Sequence, residues 1–439
     1  MWPYLPELLD RPVPRYTSYP TAAEFDAVEQ GFHESGFDAL APAAAISLYV
    51  HIPFCEKICW YCGCNTGAAN RAHRLTAYLD ALHSEIETVS DRLGNQRPVT
   101  QIAFGGGSPN AIEPVDFVRL LDHLSIAFDA FGTRLSTELD PRSLTEEWMA
   151  VLGRAGFSHA SLGVQTFDPH LQARIGRIQP TDRIKRAVDG LRANGVSSLN
   201  FDLMYGLPGQ SCAMLAETLD QAIALRPDRI ALFGYAHLPA MIKRQQRIDD
   251  SDMPDAKQRF DMAALGFELL ASAGYIPIGF DHFGLPGDSL TQAYEAGDMR
   301  RNFQGFTDDP CDALIGLGAS AISSFPDRLV QNEKNSGRYR MLASAHKLTA
   351  ERGIVRSAAD RRHGAVIESL LCRGEADISG LDLAGPMRSD FRRLQRLGLV
   401  EIDGDLIRMT ADGRPYGRTI ASRFDAYRAP KEKRFSSAI

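Results

Sequence analysis

Ser47–Asn65 reads SLYVHIPFCEKICWYCGCN, a short apolar run entering directly into four cysteines within ten residues. Cys55, Cys59 and Cys62 form C-x3-C-x2-C. Three thiolates on one short loop can hold three irons of a [4Fe–4S] cubane and leave the fourth iron without a protein ligand. An iron with an open position can bind and polarise a small molecule, which a purely electron-transferring cluster does not require. A zinc site is the alternative, with Cys64 or His51 as fourth ligand. Only Gly63 separates Cys64 from Cys62, an awkward span for joining one tetrahedron.

Outward from this stretch the chain repeats one theme to about residue 280. Strand-like runs at Ile46–Ile52, Gln101–Phe104, Leu135–Leu139, Ala160–Val164, Ser198–Met204, Ile230–Phe233 and Tyr275–Gly279 alternate with amphipathic segments. The segments Leu75–Leu93, Pro114–Phe128, Leu144–Ala155, Thr181–Asn194, Met214–Leu225 and Asp255–Ala273 have helical period, and glycine or proline follows most of them. Alternating βα units predict a parallel sheet with helices outside, and six or more in series favour a full or partial (β/α) barrel. Residues 281–345 are richer in Gly, Asp and Pro and read as loops and strands over the barrel mouth. After Asp360, helical patterns at Arg362–Leu371 and Met387–Leu397 precede a hairpin around Asp403–Gly404, a winged-helix-like module. The expected organisation is an N-terminal covering segment (1–45), the barrel with its cluster loop and extension (46–345), and the small C-terminal module (360–439).

The 439 residues allow about three domains. Lys and Arg number 48 against 55 Asp and Glu, a net charge of −7, which argues against binding nucleic acid or anionic membrane by bulk electrostatics. The longest uncharged stretch, Ala39–Cys55, contains Pro42, Ser47, His51 and Pro53 and is too short and polar to span a bilayer. The first residues lack a basic-then-apolar order, so a cytoplasmic location is expected. Seven cysteines, an odd number, do not suggest a disulfide framework. Cys212, Cys311 and Cys372 lack mutual spacing and read as buried small hydrophobes.

The cysteine motif, with Tyr61 before its third cysteine, resembles the radical S-adenosylmethionine superfamily. Further motifs narrow the likeness: PRYTSYPTA (Pro14–Ala22), LYVHIPFC (Leu48–Cys55), CGCN (Cys62–Asn65), GGGSP (Gly105–Pro109) and ELDPR (Glu138–Arg142). LGVQTF (Leu162–Phe167), DLMYGLP (Asp202–Pro208), YAHLP (Tyr235–Pro239), DHF (Asp281–Phe283), RNFQGF (Arg301–Phe306) and GASAIS (Gly318–Ser323) continue the series in order. Together they resemble the oxygen-independent coproporphyrinogen III oxidases over nearly the whole chain. Ser108 stands where that family commonly has threonine, and Phe306 where tyrosine is frequent.

That resemblance implies a [4Fe–4S] cluster on Cys55, Cys59 and Cys62 and two molecules of S-adenosylmethionine. The first would be held by Tyr49, Gly106, Glu138 and Ile322. The second would be held by Tyr61, Gly107, Ser108, Gln165, Arg177, Asp202 and Ala236. Cys64, Glu138 and Tyr49 would belong to the catalytic machinery, with Cys64 not an iron ligand. One electron from the cluster would cleave the sulfonium to a 5′-deoxyadenosyl radical. The radical would then take hydrogen from two propionate side chains of coproporphyrinogen III, each losing carbon dioxide to become vinyl, giving protoporphyrinogen IX in anaerobic heme biosynthesis. An electron donor and an electron acceptor are implied; no nucleic acid or membrane partner is expected, and the chain is expected to act as a monomer. Charge and position suggest Arg15, Arg300 and Arg301 as cations for the tetracarboxylate. Two other readings stand beside this one. The first is a non-catalytic heme- or porphyrin-binding relative. The second is an iron–sulfur redox sensor acting through the C-terminal module.

Overall fold

The computed structural model describes residues 2–69, 72–94, 97–381 and 385–428. Six strands follow one another in the chain and lie side by side, all parallel: β1 (Ile46–Ile52), β2 (Val99–Gly106), β3 (Arg134–Leu139), β4 (His159–Gln165), β5 (Ser198–Tyr205) and β6 (Arg229–Gly234). In β1 every residue but Tyr49 is buried, as a strand covered on both faces requires. Helices return the chain between strands, and their ends follow local rules. Thr145 and Ser211 accept hydrogen bonds from the N–H groups of Trp148 and Met214, and Gly156 ends its helix in the left-handed conformation. Parallel pairing puts every strand's C-terminal end at one face. There Tyr49 is level with Ala103, Glu138 with Ser161 and Gly163 with Asp202.

The expected seventh parallel strand does not form. Tyr275–Gly279 contributes only β7 (Ile276–Ile278), which pairs antiparallel with β8 (His282–Gly284), itself antiparallel to β6. Three residues separate β7 from β8, enough for a hairpin and far too few for a parallel crossover. The parallel set is completed from the other side. β9 (Ala313–Leu317), from the stretch read as loops and strands over the mouth, pairs parallel with β1. β10 (Ile322–Ser324), β11 (Arg328–Asn332) and β12 (Ala350–Val355) then continue antiparallel, with Asp26–Ala27 at the edge. The thirteen-stranded order runs from Asp26–Ala27 to β7 without closing, so the barrel is partial. All five residues of β9 are buried, but so short a run among Gly, Asp and Pro carries little sequence signal.

The C-terminal module has helices Ala358–Arg373 and Gly385–Arg396 and a three-stranded sheet whose Val400–Asp403 and Leu406–Met409 form the anticipated hairpin. Arg388, Arg392, Arg393 and Arg396 lie on its exposed face. The N-terminal segment packs against this module. Tyr16 Oη donates to Asp425 Oδ2 at 2.9 Å, the Ala426 N–H donates to Tyr19 Oη at 2.9 Å, and the Leu5 N–H to Tyr416 Oη at 2.8 Å. Among the described residues no helix is long and apolar enough to cross a membrane.

One buried carboxylate ties the late strands to the early ones. Glu85, 2% exposed, lies on the helix Ala72–Leu93. It accepts from the Gly318 N–H at 2.6 Å, Asn332 Nδ2 at 3.0 Å, Tyr339 Oη at 2.7 Å and Thr349 Oγ1 at 2.7 Å. Tyr78, two turns earlier on the same helix, donates to the His51 carbonyl at 2.7 Å and accepts from the Ala319 N–H at 2.9 Å. Glu85→Ala would leave the Gly318 N–H, Tyr339 Oη and Thr349 Oγ1 without an acceptor in a dry core, whereas Asn332 Nδ2 keeps the Gly316 and Gly318 carbonyls. The expected loss in unfolding free energy is about 3–5 kcal/mol. Denaturant titration followed by circular dichroism measures it, and a loss below about 1 kcal/mol would show that the network relaxes around the gap.

Candidate active site

The loop after β1 is held by main-chain hydrogen bonds as well as by the packing of Trp60 and Tyr61 against a small apolar cluster. The Gly107 N–H donates to the Ile52 carbonyl at 2.8 Å, the Ser108 N–H to that of Phe54 at 2.7 Å, and the Gly67 N–H to that of Pro53 at 2.8 Å. These contacts demand a second backbone without side chains. A Cβ on Gly107 would sit 2.4 Å from the Phe54 carbonyl oxygen, and one on Gly106, whose φ is +110°, 2.4 Å from His51 Cε1. GGGSP is therefore the surface on which the cysteine loop is seated.

Cys59 is buried and its sulfur accepts from two guanidiniums, Arg142 Nη2 at 3.2 Å and Arg177 Nη1 at 3.1 Å. Asp140 lies between them, 2.6 Å from Arg142 Nη2 and 3.3 Å from Arg177 Nη2. Burial works against the Asp140 carboxylate, but Arg177 and Arg142 more than offset it and hold it below the ordinary range. Cys62 accepts the Cys64 N–H at 3.4 Å; the hydrogen bonds from Cys64, aided by Arg244 and Arg177, outweigh burial and bring its thiol down to about 6. Donors aimed at cysteine sulfur orient and tune such ligands, those of an iron–sulfur cluster among them. Among the described residues no three His, Cys, Asp or Glu side chains, the motif cysteines included, already converge on a single ion. His51 turns its nitrogens elsewhere, Nδ1 to Tyr49 Oη at 3.2 Å and Nε2 to the Asn65 carbonyl at 3.4 Å, and burial lowers its imidazole to about 4, so it is neutral.

Glu138 Oε2 accepts the Gly106 N–H at 3.0 Å. Water reaches this carboxylate through the open mouth, but protein surrounds it elsewhere. That enclosure, with Asp202 and Cys62 nearby, pushes it up to about 7 against the pull of the Gly106 N–H. Tyr49, two residues before His51 on β1, faces the same space, with Glu138 and Cys64 close enough to act on its hydroxyl. Tyr49, Gly106, Glu138 and the cysteine loop thus meet at one face. Ile322 opens β10, next to the strand that pairs with β1.

On the other side Arg177 bonds the Gly163 carbonyl through Nε at 3.1 Å, and Gln165, in the left-handed region at φ +63°, reaches the Asp202 carbonyl at 3.4 Å. Asp202 accepts from Ser161 at 3.1 Å and Asn200 at 2.9 Å, and burial raises its carboxyl. Ser108 is buried and donates to Asn110 Oδ1 at 2.6 Å, within a network running to the Asp140 carbonyl. The carbonyls of Tyr61 and Ala236 share one donor, Gln245 Nε2, at 2.8 and 3.0 Å.

The Radical SAM superfamily model matches residues 49–222. An oxygen-independent coproporphyrinogen III oxidase of Bradyrhizobium diazoefficiens is 39% identical over 437 residues, 97% of each chain. One of Paracoccus denitrificans is 40% identical over 96% of this chain and 95% of its own. The solved structure of coproporphyrinogen III oxidase from Escherichia coli, described as a radical SAM enzyme, superposes with a TM-score of 0.88 at 36% identity, covering 94% of this chain and 97% of that one. The chain belongs to the oxygen-independent coproporphyrinogen III oxidase family.

Within that family reading, several residues at the site had no role assigned from the sequence. Asp140 and Arg142 lie in the quoted ELDPR but were overshadowed by Glu138. Arg244, whose Nη1 reaches Thr66 at 3.2 Å, and Gln245 come from KRQQR, which carries no local signal of a bond to the cysteine loop. Two expectations need correction. Arg300 is exposed and bonds the Cys311 carbonyl at 3.1 Å, apart from the site, because neighbours in the strand Arg300–Asn302 face opposite ways and Arg301 takes the inner side. Cys212 is exposed at the start of a helix and Cys311 half-buried; only Cys372 is the buried small hydrophobe expected of all three.

Gly106→Ala would force a Cβ against the His51 ring at a φ alanine rarely adopts. It is expected to cost about 1–3 kcal/mol in unfolding free energy. It should also loosen the cysteine loop, read as faster alkylation of Cys59 in the apo-protein under native conditions. Unchanged stability and unchanged Cys59 protection would show that the close approach is not required.

Proposed function

We propose that this chain is an oxygen-independent coproporphyrinogen III oxidase, converting two propionates of coproporphyrinogen III to vinyl groups and yielding protoporphyrinogen IX. The observation that carries the reading is the match along nearly the full length of curated relatives bearing that name. Nothing favours the non-catalytic porphyrin-binding alternative. The network at Cys59 gives cluster chemistry a physical basis that DNA-linked sensing does not need.

Cys55, Cys59 and Cys62 would hold three irons, leaving the fourth open for the methionyl end of S-adenosylmethionine. When bound, cluster and cofactor together supply the one-electron chemistry that removes hydrogen from the propionate β-carbon. Arg142 and Arg177 direct N–H groups at Cys59, stabilising negative charge on the cluster's ligands and so its reduced form. Tyr49, Gly106, Glu138 and Ile322 are assigned to the first cofactor. Tyr61, Gly107, Ser108, Gln165, Arg177, Asp202 and Ala236 are assigned to a second. Ser108 and Arg177 already serve the loop, so their part toward a second cofactor is one of holding its walls. Cys64, hydrogen-bonded to Cys62 but too close in sequence to join it, belongs to the chemistry and not to the iron. Each propionate loses carbon dioxide and one further electron, so an acceptor is needed as well as a donor. A monomer in the cytoplasm completes the proposal.

The anaerobic test uses reconstituted protein, S-adenosylmethionine, a reductant, an electron acceptor and coproporphyrinogen III. Protoporphyrinogen IX and 5′-deoxyadenosine should appear together. Cofactor cleavage without vinyl product would overturn the substrate assignment, and absence of cleavage would favour a binding protein. A pH series adds a second check. Glu138 is raised to about 7, so its carboxylate form is lost as pH falls through 7. If that carboxylate holds the first cofactor, affinity for S-adenosylmethionine should fall several-fold between pH 8 and pH 6, and Glu138→Gln should be weak and flat across the range. A wild-type affinity indifferent to pH would remove Glu138 from this role.

A further inference from the structure

A cavity outside the cluster and cofactor groups opens at the C-terminal ends of β5 and β6, beside Tyr205 and Gly234. Three distant parts of the chain close it. The N-terminal segment brings Arg15, the turn between β7 and β8 brings Phe280 and Asp281, and the C-terminal module brings Arg414 and Arg418.

The guanidiniums here are held in an unusual manner. Arg15 bonds the Gly234 carbonyl at 3.2 Å and stacks over Phe233 at 5.0 Å. Arg414 bonds the Pro277 carbonyl at 3.2 Å and lies over Phe267 at 5.6 Å. Behind the wall, Arg301 lies 5.0 Å over Phe280 and 4.3 Å over Phe306, bonds the Arg15 carbonyl through Nη2 at 2.8 Å, and keeps a buried Nη1 without a hydrogen-bond partner among the described residues. None of these three forms an ion pair among the described residues. Arg418 lies 5.5 Å over the same Phe280 ring. Asp281, the one acidic side chain among the described lining residues, is bonded to His282 Nδ1 at 2.7 Å.

Phenyl faces and carbonyl oxygens orient the guanidiniums of Arg15 and Arg414 without an ion pair, and they leave N–H edges that match a carboxylate. Gathering such groups in a partly dry cavity is unfavourable in isolation, and this chain is acidic overall, at −7. An entering anion removes the disadvantage. We propose that this cavity receives a propionate arm of the substrate, with Arg15, Arg414 and Arg418 as its cations. The inference rests on the porphyrinogen reading and extends it: the C-terminal module would be a wall of the substrate site as well as a partner of the N-terminal segment.

The test uses the cluster-loaded full chain and two unreactive probes, coproporphyrin III and its tetramethyl ester, titrated by porphyrin fluorescence. The wild type should bind the acid at least about tenfold more tightly than the ester. Arg414→Gln and Arg418→Gln should each weaken acid binding about tenfold or more and leave ester binding unchanged, while Arg414→Lys and Arg418→Lys should recover part of the loss. Circular dichroism melts of all four variants separate lost binding from lost fold, and the lysine variants keep the test alive if a glutamine variant unfolds. Acid affinity within about twofold of wild type in both folded glutamine variants would overturn the cavity assignment while leaving the substrate reading intact. A wild type that binds acid no better than ester would instead overturn the substrate reading itself.

Discussion

The buried group formed by Cys59, Asp140, Arg142 and Arg177 is the constraint on which the site depends. Two guanidiniums meet one sulfur and one carboxylate where water is scarce, at the ends of β3 and β4. Breaking a buried pair by deleting one member costs about 3–5 kcal/mol, because the survivor is left charged and desolvated. That is several times what an exposed ion pair contributes, typically below about 1 kcal/mol. The geometry is correspondingly strict. Arg142 and Arg177 come from separate βα loops, so the group forms only when the third and fourth units of the sheet are in register with the cysteine loop of the first.

The same group adds directed polar contacts to a loop that Trp60 and Tyr61 also anchor against an apolar cluster. Its main chain is hydrogen-bonded to Gly107 and Ser108 at the end of β2, the Cys59 sulfur to Arg142 and Arg177, and the carbonyls of Tyr61 and Cys64 lie within reach of Gln245 and Arg244. The scaffold below is fixed independently. Glu85 and Tyr78 bind the helix after β1 to β1 itself and to the segments around β9–β12. Apolar burial builds the sheet, whereas directed polar contacts at its C-terminal face shape the site.

Legibility in the sequence follows this division. β1 to β6 and their helices were readable within a few residues, because each is a buried apolar run or an amphipathic period between turn signals. β9 was not, being five residues in a Gly- and Asp-rich stretch, and β7 was misassigned because a strand pattern does not reveal its direction. The cysteine motif and the glycine run could be placed at one face from spacing and strand ends alone. The assignment of Tyr49, Glu138, Gln165, Arg177 and Asp202 came from family resemblance, and the structure brings them to the same end of the sheet. Arg142 and Gln245 escaped because their partners lie 83 and 184 residues away. No local pattern encodes such distances.

In the function proposed, three thiols and no fourth protein ligand would hold the cluster, leaving one iron for the cofactor. Iron and sulfide content, with the electron paramagnetic resonance spectrum of the reduced cluster before and after S-adenosylmethionine, tests it in Cys64→Ser beside Cys62→Ser. About four irons per chain and a spectrum altered by the cofactor are expected in Cys64→Ser, as in wild type, and loss of the intact cluster in Cys62→Ser. Equal loss of iron in both variants, or a wild-type spectrum unmoved by the cofactor, would contradict it.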